Sequence, residues 1–235
     1  MTYKQQMQKA IKGYMKDIGF KYDAQQFTFY KDVDEDCELA LIYAATSHGF
    51  KEYYDLNIQV SVIRKSWNLL LYELTNNKID MVNFRIGMFS FPCPPLSKQP
   101  YSMTFSSHRS IDDNLLEFKS IIQNYALIFW ELFSDDVTAY NKMFSEEYSY
   151  VCQFSYRFSY PVACYMHKDY DRALEYTKSF LSEHNQEVKA KPHIEGLRKQ
   201  LELYTTFYNN LQKLIKNQPD YRPESVLDRI KRVLK

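Results

Sequence analysis

The clearest pattern in the chain is a strict alternation of apolar and polar residues between positions 55 and 62. The apolar positions of this segment are Leu56, Ile58, Val60 and Val62. Successive side chains of a strand point to opposite faces, so a period of two predicts a strand with one apolar face. Similar signals predict further strands at residues 27–30, 39–45, 82–88 and 101–105. The chain is therefore expected to form a mainly antiparallel sheet of about five strands.

Apolar residues at three- and four-residue steps predict helices before and after the strands. The first helix covers residues 3–18 and stops at Gly19. The longest begins at the N-cap Ser110 and continues to about residue 134. Further helices are predicted at residues 67–74, 139–144, 161–166, 170–182, 197–215 and 223–234, with a flexible linker at residues 185–192.

These elements predict the α+β fold class: a mainly antiparallel sheet packed by helices, with a helical C-terminal region. We expect residues 1–135 to form the sheet domain. Residues 136–235 are expected to form the helical region, packed on that domain.

Composition places the chain among ordinary globular proteins, because 45% of its residues are hydrophobic and 25% are charged. No apolar stretch approaches the roughly 18 residues that cross a bilayer. The polar N-terminus lacks the apolar segment of a secretory signal. We therefore expect a cytoplasmic protein.

No motif for catalysis, cofactor binding or metal binding is present in the sequence. The five histidines never form an HxxxH pair, and no two of the five glycines form a GxG element. The cysteines are too widely spaced for a CxxC site: Cys37, Cys93, Cys152 and Cys164. We expect no metal and no cofactor, and we favour a non-enzymatic protein that binds another protein.

Charge is distributed unevenly, although the net charge is only +1. Residues 111–190 carry 7 basic and 13 acidic residues, whereas residues 191–235 carry 10 basic and 5 acidic ones. Acidic surfaces attract basic partners, and exposed tyrosines supply contact area. The predicted partner-binding residues, expected to lie near one another, are Asp32, Asp34, Glu35, Asp36, Tyr53 and Tyr54.

Two alternatives to protein binding remain open. In the first, His108 and Arg109 converge with the N-terminus of the long helix on an anion, which would suit an enzyme of unfamiliar type. In the second, the basic tail at residues 219–235 binds nucleic acid.

The N-terminal part resembles a family of uncharacterised bacterial proteins suspected to be immunity proteins of polymorphic toxin systems. The resemblance lies in the segments Ile18-Gly19-Phe20-Lys21 and Phe27-Thr28-Phe29-Tyr30-Lys31 and covers about the first 135 residues. These motifs are structural, so no functional residue carries over. The resemblance implies a protein that neutralises a toxin, with a basic toxin domain as its partner.

Residues 169–176 resemble the second half of a single tetratricopeptide repeat. In that motif the small Ala173 lets two helices approach closely. No similar segment lies 34 residues away on either side, so a repeat array is not expected.

Overall fold

The computed structural model describes residues 1–78, 89–90, 102–144 and 156–221. The chain divides into two compact units. The first contains Met1–Lys65 and Arg85–Phe154, and the second contains Ser66–Phe84 and Ser155–Lys235. The predicted α+β class, with helices in the C-terminal region, is confirmed.

The first unit is built on an antiparallel sheet. Its strands are β1 (Lys21–Asp23), β2 (Thr28–Asp32), β3 (Cys37–Thr46), β4 (Tyr53–Arg64), β5 (Phe89–Ser90) and β6 (Ser102–Ser106). They pair in the order β1-β2-β3-β4-β5, and β6 also pairs with β4. β4 is the central strand, because its residues from Asp55 to Arg64 pair with β3 and it also pairs with both β5 and β6.

The alternation that predicted β4 is confirmed by burial. Leu56, Ile58 and Val60 are fully buried, and Val62 is nearly so. On the neighbouring strand, Leu41 lies directly opposite Val60 and is also buried. One face of the sheet therefore forms the core of the first unit, and the helix Leu127–Ser134 packs against it.

The helices are α1 (Tyr3–Asp17), α2 (Lys65–Leu74), α3 (Ile111–Ile121), α4 (Leu127–Ser134), α5 (Asp136–Met143), α6 (Tyr156–Met166), α7 (Tyr170–Ala190) and α8 (Glu195–Lys216). A π-helical turn, Ile122–Ala126, joins α3 to α4, so the predicted long helix is one continuous element. Ser110 caps α3 as predicted, because its hydroxyl oxygen accepts the Asp113 N–H at 3.0 Å.

Gly19 stops α1 as predicted. It adopts a φ of 91°, and its N–H donates to the carbonyl of Lys16 while the N–H of Phe20 donates to that of Met15. This pair of bonds is a Schellman motif, which needs a left-handed residue after the helix. The chain therefore turns directly from α1 into β1.

The second unit contains α6, α7, α8 and, apart from its first residue, α2. The helices predicted at residues 161–166 and 170–182 are confirmed as α6 and α7, which pack as a hairpin with Ala173 fully buried. The side-chain amide of Asn210 on α8 donates to the Leu74 carbonyl at the end of α2, at 2.9 Å. This hydrogen bond ties α8 to α2.

The predicted linker at residues 185–192 is wrong, because α7 continues to Ala190. The segment is polar because it is exposed on the helix surface. Glu187 forms an ion pair with Lys191 at 3.6 Å, which stabilises the last turn of α7. The polar composition of residues 185–192 is therefore that of an exposed helical turn, which a linker of the same composition would resemble.

The division into residues 1–135 and 136–235 stays a prediction. The two compact units group the elements differently, since α2 lies in the second unit and α5 in the first. The strand predicted at residues 82–88 and the helix predicted at residues 223–234 lie outside the described residues.

Candidate functional site

Asp32, the first acid of the predicted partner-binding surface, is the last residue of β2. Its carboxylate lies 3.7 Å from the ammonium of Lys21 and 3.4 Å from that of Lys65. Glu35, in the turn that follows, is exposed. Part of the negative charge of this turn is therefore already paired within the first unit.

Asp34 shapes the turn through one of its two carboxylate oxygens. Its Oδ1 accepts the backbone N–H groups of Asp36 at 2.7 Å and Cys37 at 2.6 Å. These backbone hydrogen bonds, that of Cys37 first, hold the pKa of Asp34 below its usual value. The side chain is an internal cap of the β2–β3 turn.

Tyr53 and Tyr54 do not lie near the acidic turn, so the expected proximity of these six residues is wrong. The two tyrosines begin β4, whereas Arg64 at its end pairs with Cys37 beside the turn. A strand of 12 residues rises about 3.3 Å per residue, which separates its ends by roughly 35 Å. Tyr54 is also buried, with its ring stacked 6.4 Å from that of Tyr3. Whether either group of residues contacts a partner stays a prediction.

His108 and Arg109 lie in the loop before α3, as predicted. The guanidinium of Arg109 donates to the Glu117 carboxylate at 2.7 Å and to the Asp113 carbonyl at 3.0 Å. These hydrogen bonds hold the guanidinium against α3. The side chain of His108 is exposed. The geometry does not bring the two side chains together around an anion.

A polar cluster that sequence reasoning missed joins β4, β6 and the β3–β4 loop. Asp55 accepts hydrogen bonds from the Thr104 hydroxyl at 2.8 Å and lies 2.9 Å from His48 Nε2. Burial raises the pKa of Asp55, but the hydrogen bonds from Thr104, His48 and Tyr53 together hold it below its usual value. The ionised carboxylate thus holds His48 and its loop against β4. The register of β4 and β6 places Asp55 directly opposite Thr104.

Among the residues that the structure describes, no group of three His, Cys, Asp or Glu side chains is placed to hold a metal ion. Within the same ranges, no helix combines the length and the apolar character needed to cross a membrane. The basic tail lies outside the described residues from residue 222 onward.

The candidate functional surface is the outward side of the helix around the π turn. We call Tyr125, Leu127 and Ile128 the α4 patch; these side chains are 37%, 43% and 53% exposed. α4 is apolar around most of its circumference, yet only one side of it reaches the core. The buried residues of that side are Phe129, Trp130 and Phe133.

The π turn changes which positions of the helix face the core: the spacing of the buried residues before the turn differs in phase from that after it. A π turn contains one more residue than an α turn and shifts the phase of the helix that follows it. Ile122 and Ala126 of this turn are buried, whereas Tyr125 is exposed. π turns are often found at functional sites. The sequence signal for the patch was the run Leu127 to Trp130, which is too wide for one buried face.

Acidic residues outnumber basic ones in the sequence segment that carries the α4 patch. Glu131 is exposed one turn after Leu127 and Ile128. From α3 to the start of α5, residues 111–136, the sequence contains six acidic residues and one basic residue, Lys119. The patch therefore has one exposed carboxylate, that of Glu131, within one helical turn.

No family model, curated protein or solved structure matches the chain. Function is therefore inferred from the chemistry of its own surfaces. The α4 patch combines exposed apolar area with a carboxylate at its edge, and apolar area bordered by polar groups is typical of a protein interface.

Proposed function

We propose that this chain is a non-enzymatic, cytoplasmic protein-binding module and that the α4 patch contacts the partner. The observation that supports it is the exposure of Leu127 and Ile128 on a helix that is apolar nearly all round. A helix of this composition is normally buried on every side. Adjacent exposed apolar side chains mark interaction surfaces in folded proteins.

The excess of acidic residues in the segment that carries the patch indicates the class of partner. An acidic surround raises the rate of association with a basic protein and repels an acidic one. Covering the exposed halves of Leu127 and Ile128 contributes about 1 kcal/mol each to binding. The apolar contact thus sets the lifetime of the complex, and the charges set its rate of formation.

A basic toxin domain is the partner that the resemblance to immunity proteins implies. An acidic, aromatic surface can neutralise such a toxin by covering its basic substrate-binding face. We therefore include toxin neutralisation in the proposed function. The support for it is the charge of residues 111–136 together with the resemblance of residues 1–135.

The proposal is tested by placing a photo-crosslinking amino acid, p-benzoylphenylalanine, at position 128 in the native cell. Leu69 on α2 is the matched control position, because it is a similarly exposed apolar residue of a helix. We expect one basic protein to crosslink at position 128 and not at position 69. Identical adducts at both positions, or none at position 128, would contradict the proposed surface.

The neutralisation step has its own test with the captured protein. We expect its expression alone to inhibit growth, and co-expression of the wild-type chain to restore growth. Ile128→Glu should remove the protection while leaving the melting temperature within a few degrees, because the side chain is exposed. A harmless partner would refute toxin neutralisation but leave the binding surface intact.

A further inference from the structure

A second surface of the first unit lies on α1. The core side of this helix is formed by Met7, Ile11 and Met15, which are fully buried. Another side forms a shallow recess of about 470 Å³. The residues that line it recur at steps of three and four along the helix, and we call them the α1 stripe: Gln5, Gln8, Lys9, Lys12, Gly13 and Lys16. The stripe is about 16 Å long, given a rise of 1.5 Å per residue.

The α1 stripe contains three ammonium groups and no carboxylate. Within the described part of the chain, Lys9, Lys12 and Lys16 have no ion-pair partner. Asp17 is the single acid of α1, and it lines a separate pocket between α1 and α3. Lys12 Nζ lies 3.9 Å from the centroid of the Tyr22 ring, which holds an ammonium group without cancelling its charge. The stripe is therefore a row of unpaired positive charges.

Packing within the chain does not explain the glycine in the middle of the stripe. Among the described residues, no heavy atom lies within 4 Å of a Cβ atom added at Gly13. A glycine inside a helix costs stability relative to alanine, but it lets another backbone approach closely. The missing side chain leaves the helix backbone accessible between the lysines, where a bound backbone can approach it.

The composition of the stripe selects the class of partner. Every described residue that lines the recess is a lysine, a glutamine or the glycine. A protein interface or an amphipathic helix needs apolar side chains at its centre, and the bases of a single strand need aromatic rings on which to stack. Lysine ammonium groups and glutamine amides are the donors that contact phosphate oxygens along a duplex. We propose that the α1 stripe binds the phosphate backbone of double-stranded DNA without reading its sequence.

The three lysines set the strength of this contact and its dependence on salt. Lys9 and Lys16 are about 10 Å apart along the helix, and their long side chains let each ammonium group contact its own phosphate. Each neutralised phosphate of a duplex adds about 0.9 to the steepness with which the logarithm of the binding constant falls with the logarithm of salt concentration. Contacts of this kind are non-specific, with a Kd of about 10⁻⁴ to 10⁻⁶ M.

The test is fluorescence anisotropy of the full chain with a labelled DNA duplex of about 20 base pairs, measured over a series of salt concentrations. Lys9→Gln should lower the steepness of the salt dependence by about 0.9. Neutralising Lys9, Lys12 and Lys16 together to Gln should lower it by about 2.7 and weaken binding at low salt at least about tenfold. An absence of duplex binding by the wild-type chain overturns the proposal. So does an unchanged salt dependence in the triple variant, which would mean that another segment holds the duplex.

A matched triple variant separates the stripe from net charge. Lys51, Lys178 and Lys189 are exposed lysines elsewhere in the chain, and changing them to Gln alters the net charge by the same amount. We expect this control to keep the salt dependence of the wild-type chain. An equal loss in both triple variants would mean that only net charge matters, and the stripe is then not the site.

Gly13→Leu tests the recess at unchanged charge. Because its Cβ position is open, this variant should fold normally, as checked by its melting temperature, and weaken duplex binding at least about threefold. Gly196→Leu is the control, since Gly196 is another exposed helical glycine with open space around it. Wild-type affinity in Gly13→Leu would mean that the duplex does not approach the recess, which contradicts the proposed contact.

Two further ligands distinguish the duplex from other polyanions. One is single-stranded DNA with the same number of phosphates, and the other is polyglutamate of the same charge. We expect the duplex to bind more tightly than either. Tighter binding of the single strand would indicate base stacking, and tighter binding of polyglutamate would indicate an acidic protein partner; each result overturns the proposal. None of these variants alters the α4 patch, so the outcome is independent of crosslinking at position 128.

Discussion

Arg64 is a buried cation that joins the central strand to the helical layer of the first unit. Its guanidinium donates to the carbonyl oxygens of Phe133 at 3.0 Å and Ser134 at 2.7 Å. Its Nε lies 3.3 Å from the carboxylate of Asp136. The last carbonyls of a helix have no partner inside it, so Arg64 supplies donors that α4 lacks. We predict that Arg64→Met, which removes every donor, destabilises this unit.

The size of the loss follows from these contacts. A buried carbonyl left without a hydrogen bond costs about 1–3 kcal/mol, and Arg64→Met affects two of them. The side chain of Asp136 is 48% exposed, so the ion pair adds less than about 1 kcal/mol. Burying the guanidinium itself has a cost, and the methionine avoids it. The expected decrease in the free energy of unfolding is therefore roughly 2–4 kcal/mol.

Urea unfolding followed by circular dichroism measures the decrease, and hydrogen exchange with mass spectrometry locates it. Lys65→Met is the matched control at the next position. Lys65 pairs with Asp32 at 3.4 Å, but both side chains are nearly half exposed. We expect the control to lose less than about 1 kcal/mol. In Arg64→Met, peptides covering α4 and the start of α5 should lose the most protection from exchange.

Two results would refute this account of Arg64. One is an unfolding free energy for Arg64→Met within about 0.5 kcal/mol of wild type at an unchanged denaturant slope. The other is an equal loss in Lys65→Met, which would mean that general charge, rather than the bonds to α4, matters at this corner of the sheet.

Three further predictions concern the core and the polar cluster. Val60→Asp places an unpaired carboxylate on the buried face of β4 and should cost several kcal/mol; an unchanged melting temperature would contradict this. Ala173→Phe should overpack the α6–α7 hairpin by about 1–3 kcal/mol in urea unfolding, whereas the exposed Ala190→Phe should not. Because the folded pKa of Asp55 is below its ordinary value of 3.8, its contribution is present above that value and lost as the pH falls through the folded pKa. Urea midpoints should therefore fall less steeply in acid for Asp55→Asn than for wild type, and identical slopes would exclude the effect.

Several elements could be predicted from the sequence because their signals are local. The alternation at residues 55–62 predicted β4, Gly19 marked the end of α1, and Ser110 marked the start of α3. Each of these signals depends on residues within a turn or two of one another. Side-chain periodicity and backbone capping are set by such short-range geometry, so they can be recognised without knowledge of the fold.

Which residues share a surface depends on the packing of segments that are distant in the sequence. Tyr53 and Asp34 lie at opposite ends of β4, although we expected them to be neighbours. The tertiary structure also left Ile128 exposed on an apolar helix and placed Lys119 of α3 and Lys9 of α1 around one surface pocket. Strand register, helix phase and the packing of distant segments determine such proximity, and none of them is expressed in the local pattern of apolar and polar residues.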